Sequence, residues 1–156
     1  MKIEIDQSGK IEQTQWPTVI GVSNGKSYSL LISANEKKKL QGYFRKRNKG
    51  KIYVLRVFAG LIYIAVTKFA SEVDSVTIDL EYYGRDKTIH SMIKEIATNC
   101  RMKLPAIHFA RIGNRPRAHY TALDVFAKRK KPTVRVTAQE IIDLLAPNKK
   151  DRGRND

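Results

Sequence analysis

The sequence predicts an α/β fold: a mixed five-stranded sheet, made of a three-strand antiparallel meander plus two parallel strands, with helices on both faces. Three observations carry that expectation. Apolar and polar residues alternate from Lys2 to Asp6, the period of a strand with one buried face. Two β-rich runs, Thr18 to Ser23 and Lys26 to Ser33, are joined by Asn24-Gly25, the dipeptide that type I′ hairpins require. From Val76 onward, strand-like runs take turns with helical apolar stripes, as in βαβ units.

Taken in order, Ile3 and Ile5 alternate with Glu4 and Asp6, and Gln7-Ser8-Gly9 follows as turn chemistry, which places Asp6 at the lip of the sheet. There its carboxylate is read as a ligand for a divalent cation; the competing reading is an edge-strand Asp bonded to its own turn. Lys10 to Pro17 is polar, and Trp16-Pro17 disfavours helix. After the hairpin, Asn35 can cap a helix running through Leu40 and Phe44 into the basic loop Arg45 to Lys51. Ile52 to Ala70 carries Phe58, Leu61, Ile62 and Ala65 at helical spacing, with a short strand over Ile52 to Leu55 as an alternative start. Its most apolar part, Val54 to Val66, is too short to span a bilayer.

Val76 to Tyr82 alternates so that Asp79 and Glu81 share the face opposite Ile78 and Leu80. Asp86 opens a helix with Ile89, Met92, Ile93 and Ile96 on one stripe, ended by Pro105. Ala106 to Ile112 reads as a strand, Gly113 to Arg117 as a guanidinium-rich turn, and Ala118 to Ala127 as a helix stopped by Lys128-Arg-Lys-Lys-Pro132. Val134 to Val136 is a short extended piece, not counted as a strand. Thr137-Ala-Gln-Glu140 is a capping-box pattern that starts the last helix. Residues 1–147 form one expected domain, and the charged tail 148–156 lacks apolar residues and is expected to be disordered.

Thirty Lys and Arg against fifteen Asp and Glu leave a net charge of +15. Such a field attracts polyanions, so nucleic acid is the expected partner, DNA ahead of RNA. A membrane surface is not expected, because the cations fall in loops and helix ends and not along an amphipathic helix. They form three patches: Lys37 to Lys51 with Arg45, Lys46 and Arg47; Arg111 to Arg117 with Arg115 and Arg117; and Lys128, Arg129, Lys130 and Lys131 to Arg135. Arg115 and Arg117 are the expected phosphate clamps, and the Lys128 patch holds backbone further out. With no aromatics interleaved, base-specific reading is not expected. A single Cys100 excludes an internal disulfide pair and suits a reducing, cytoplasmic setting. The oligomeric state is left open, a homodimer included.

If the first, fourth and fifth strands are parallel neighbours, Asp6 and Asp79 or Glu81 meet at one carboxyl edge, where open α/β sheets keep their ligands. Oxygen ligands of that kind suit Mg²⁺ or Mn²⁺. The Ile5-Asp-Gln-Ser-Gly9 run, the meander, the acidic fourth strand and the late helix together resemble the ribonuclease H-like nuclease superfamily, in particular its RuvC-type resolvase and small archaeal nuclease branches. That resemblance implies two-metal hydrolysis of phosphodiester bonds in DNA, by a single-strand exonuclease or a structure-selective endonuclease. It implies Asp6 as the metal-bridging acid, Asp79 or Glu81 as the fourth-strand ligand, Asp124 as the late-helix acid and His119 as a ligand or water-positioning group. The chain departs from the family pattern in two places. Arg56 to Ser71 holds no carboxylate where ribonuclease H proper has a Glu, and Asp124 stands nearly alone on its helix, with Asp143 too far along. The alternative is a non-catalytic nucleic-acid or ribonucleoprotein binding module on the same fold.

Overall fold

The computed structural model describes residues 1–24, 26–69, 71–112 and 117–146. The tail 148–156, the hairpin residue Gly25 and the clamp Arg115 lie outside them. The sheet has six strands in the order β5-β4-β1-β2-β3-β6. These are β1 (Lys2–Ser8), β2 (Thr18–Ser23), β3 (Ser27–Ile32), β4 (Ser75–Asp79), β5 (Ala106–Ala110) and β6 (Val134–Val136). The first three are antiparallel, while β1-β4, β4-β5 and β3-β6 are parallel. Five helices accompany them: α1 (Ala34–Lys46), α2 (Tyr53–Thr67), α3 (Asp86–Asn99), α4 (Arg117–Phe126) and α5 (Ala138–Leu145).

The expected count of five strands is therefore corrected to six. A three-residue strand is too short to show alternation, and β6 is held by its register with Leu30 to Ile32 and by Ser29-Thr133 hydrogen bonds in both directions. Two helix starts also move. Ser33, not Asn35, caps α1, its hydroxyl accepting the Glu36 N–H, and Tyr53 begins α2 directly with no strand before it. At α5 the Thr137 hydroxyl accepts the Glu140 N–H as expected of a capping box. The Glu140 carboxylate, however, takes the Thr137 hydroxyl and not its amide. The free amide of Ala138 goes to Glu36, which ties the start of α5 to the start of α1.

The two faces of the sheet are covered unequally. Ile3, Ile5, Val76 and Ile78 point into a core shared with α1, α2, α3 and α5. Across β1, β2 and β3 the other face is covered by α4, through Ala118, Ala122 and Val125 against Val19 and Leu31. Over β4 and β5 that second face carries half-buried Thr77 and Asp79 and exposed His108 and Ala110. No helix among the described residues is long and apolar enough to cross a membrane.

The loop after β1 is anchored from beneath. Gly9 turns the chain at φ 82°, a conformation that side chains disfavour. Lys37, expected within a surface patch, is instead fully buried, because its Nζ donates to the carbonyls of Lys10 and Gln13 and to the Thr18 hydroxyl. Burial pushes its pKa down to about 8. Replacing Lys37 by Met strands those acceptors in the interior, an expected loss of about 3 kcal/mol that urea denaturation will measure.

Candidate metal centre

Register brings the acids together. Ile5 of β1 stands beside Ile78 of β4, so the next positions, Asp6 and Asp79, are neighbours on the face opposite the main core. The alternation that buries Ile3, Ile5, Val76 and Ile78 thus aims both carboxylates at the α4 side. Strand β4 was expected to reach Tyr82 but ends at Asp79, and Glu81, two residues further on, reaches the same spot. Carboxylate oxygens of Asp6, Asp79 and Glu81 all lie within 4.8 Å of one another.

Each acid is held. Asp6 is 6% exposed; its Oδ1 accepts the Gln7 N–H at 2.8 Å and its Oδ2 lies 3.0 Å from His119 Nδ1. The own-turn bond expected as the alternative reading of Asp6 is therefore present, and the second oxygen faces His119. Asp79 Oδ1 accepts the Ile112 N–H, which links the end of β4 to the segment after β5. Behind them Gln7 donates to Tyr82 Oη and to the Gly9 carbonyl, and Tyr82 packs edge-on against Phe58. Tyr83 is exposed, with the Arg111 guanidinium bonded to its hydroxyl.

Burial and the nearness of like charges both act on the acids. Burial, then the Gln7 amide in the opposite sense and the Asp79 charge, leave the Asp6 carboxyl above its ordinary range. Glu81 is pushed up to about 7, first by burial and then by the charges of Asp6 and Asp79. A carboxyl so raised keeps a proton in the folded state that the unfolded chain releases. Its contribution to stability is thus full below its ordinary value of 4.5 and is lost as the pH rises to about 7. The span corresponds to at most about 3 kcal/mol. Glu81→Gln is expected to raise the melting temperature at pH 8 and to flatten its dependence between pH 5 and 8, as read by scanning calorimetry beside the parent protein.

Helix α4 is set by a glycine. Gly21 of β2 pairs with Asp6, and a Cβ there would fall 2.4 Å from the Ala118 carbonyl oxygen and 2.7 Å from the Ala122 nitrogen. Bare backbone lets α4 rest directly on the sheet, and that seating lowers His119 onto Asp6. The residue was missed in the sequence, although an isolated glycine inside a strand run signals close backbone approach. His119 turns its Nδ1 to the Asp6 carboxylate, on a side chain 44% exposed.

The other expected residues are placed elsewhere. Asp124 is not brought to the cluster: its carboxylate binds Arg129 Nε at 3.0 Å and stands 4.0 Å from Lys130 Nζ, at the far end of α4. Five helical positions separate it from His119, which turns it to another side of the helix. Arg117 is exposed at the start of α4, two residues before His119. Lys128, Arg129, Lys130 and Lys131 are exposed beyond its end. Arg45, Lys46 and Arg47 are exposed at the end of α1, in the layer opposite α4, with Arg47 lying over the Tyr43 ring. The three expected patches are thus separate surfaces; in the second, Arg117 stands two residues before His119, and Arg111 precedes Ile112, whose amide bonds Asp79.

Three convergent carboxylates, two of them with raised pKa and with no Lys or Arg within ion-pair distance among the described residues, make an oxygen-donor set able to hold a metal ion. No family model, no curated protein and no solved structure matches this chain.

Proposed function

We propose that the protein is a divalent-metal-dependent nuclease that hydrolyses phosphodiester bonds in DNA, as a single-strand exonuclease or a structure-selective endonuclease. The meeting of Asp6, Asp79 and Glu81 within 4.8 Å, on a chain of net charge +15, is the observation that carries it. Support for the resemblance to the ribonuclease H-like superfamily comes from the antiparallel β1-β2-β3 meander beside the parallel β1-β4-β5 set. With Asp124 engaged by Arg129, the reading rests on three acids and not four.

In this reading Asp6, Asp79 and Glu81 hold Mg²⁺ or Mn²⁺, which would acidify a bound water and neutralise charge on the phosphate. The protein's own groups do the rest. Gln7 and Ile112 amides fix the two strand acids, and His119 holds the second oxygen of Asp6. Hydrolysis joins water oxygen to phosphorus and breaks a phosphorus–oxygen ester bond, so one proton leaves the water and one reaches the departing oxygen. Nε2 of His119 is the base at hand for the first transfer. Arg117 supplies a cation for the phosphate beside it.

The test is incubation of labelled single-stranded, duplex and branched DNA, and of single-stranded RNA, with Mg²⁺, Mn²⁺ or EDTA. Cutting that EDTA stops and that Asp6→Asn lacks is the expected result. Salt-sensitive binding with no cutting in either variant overturns the enzyme and leaves the non-catalytic nucleic-acid module.

A further inference from the structure

The end of α4 farthest from His119 carries a second construction. Lys128 adopts φ 63°, and the amides of Lys128, Arg129 and Lys130 fold back onto the carbonyls of Val125 and Asp124, which fans consecutive cations around one corner. Between that corner, the end of β3 and the segment leading to β6 lies a groove of about 500 Å³, within the size range of small-ligand sites. Its floor is apolar, formed by Pro17, Leu31, Val125, Phe126 and Pro132. Its rim is cationic, with Lys128, Lys131 and Arg135 bearing no carboxylate partner among the described residues, while Arg129 and Lys130 share Asp124.

An apolar floor beneath unneutralised cations is complementary to one kind of chemistry, a flat apolar ring attached to phosphate. We propose that this groove receives an unstacked nucleobase of a single strand, laid against Phe126 and the prolines, with its flanking phosphates on Lys128, Lys131 and Arg135. Phosphate contact alone was expected from the sequence, since no aromatic is interleaved in the basic run; Phe126 stands two residues before it and reaches the groove only through the fold. Duplex DNA keeps its bases stacked and presents only phosphate to such a rim. The inference rests on the reading of the chain as a nucleic-acid binder, not on the chemistry at Asp6. It also fits that chemistry: seven helical residues separate His119 from Phe126, about 10 Å along α4, so a strand of a few nucleotides spans both.

The test is fluorescence anisotropy of a labelled oligothymidine, the same oligonucleotide carrying an abasic position, and a duplex of equal length, all in EDTA so that binding is read without cleavage. The triple variant Lys128→Ala, Lys131→Ala, Arg135→Ala is expected to bind oligothymidine at least about tenfold more weakly, with the salt slope smaller by about 2 to 3. Phe126→Leu, which keeps an apolar filler against the sheet, is expected to lose about fivefold or more on oligothymidine and nothing on the abasic strand. Parent-like binding by the triple variant overturns the proposal, as does an equal loss on both strands for Phe126→Leu, or a duplex bound as tightly as the single strand. Metal-dependent cutting that survives such a failure leaves the acid centre standing, and base-dependent binding without cutting leaves the groove standing alone.

Discussion

Asp6→Asn is expected to lower metal-dependent cleavage by about a thousandfold or more, the factor lost with several kcal/mol of transition-state stabilisation. The amide oxygen of Asn can still accept the Gln7 N–H, and its NH₂ can face a His119 ring of the other tautomer, so the local hydrogen bonds survive. What disappears is the charge. Asp6 is nearly excluded from water and lies within 4.8 Å of two further acids, which makes it the member whose negative charge gains most from a cation. The melting temperature without metal is expected to stay level or rise, because a buried like-charge neighbour has been removed. Stabilisation of the parent protein by added Mn²⁺, read by thermal shift, is expected to vanish in the variant. A variant that still cuts at the parent rate places the chemistry elsewhere.

Gly21→Val is expected to have the largest effect on the fold. Even the first carbon of the new side chain would lie 2.4 Å from the Ala118 carbonyl oxygen and 2.7 Å from the Ala122 nitrogen, and both are helix backbone, which cannot swing aside as a side-chain tip can. The helix must lift as a body, opening the Val19, Leu31, Ala122 and Val125 contact. We expect a loss of about 3 kcal/mol, seen as a melting temperature lower by about 10 °C. His119 should also part from Asp6, and the chemical shifts of its imidazole protons, followed by NMR, should move from those of the parent. A parent-like melting curve would show that α4 does not need this seat.

Much of this architecture could be read from periodicity because its cause is local. Alternation in Lys2 to Asp6 and Val76 to Asp79 reports one buried face, and the same alternation puts Asp6 and Asp79 on the other face. The rest depends on partners remote in sequence. β6 is a strand only because β3 offers an edge to it. The end of β4 is set by where pairing with β5 stops, although alternation alone already puts Glu81 on the face of Asp79. Asp124 and His119 look equally suited as helix residues, and the choice between them follows from which side of α4 meets Gly21. Lys37 sits in a run of lysines whose spacing gives no sign that one of them faces inward to three oxygen acceptors.

The parallel pairing of β1 with β4 has a consequence for biosynthesis. Strand β1 leaves the ribosome first, yet its neighbour on that side begins at Ser75 and its histidine contact lies 113 residues further along the chain. At about 5–20 residues per second, the opening strand spends several seconds or more without either. Such distant pairing slows closure of this half of the sheet, and the acid cluster with its histidine contact comes into being only after His119 has been translated.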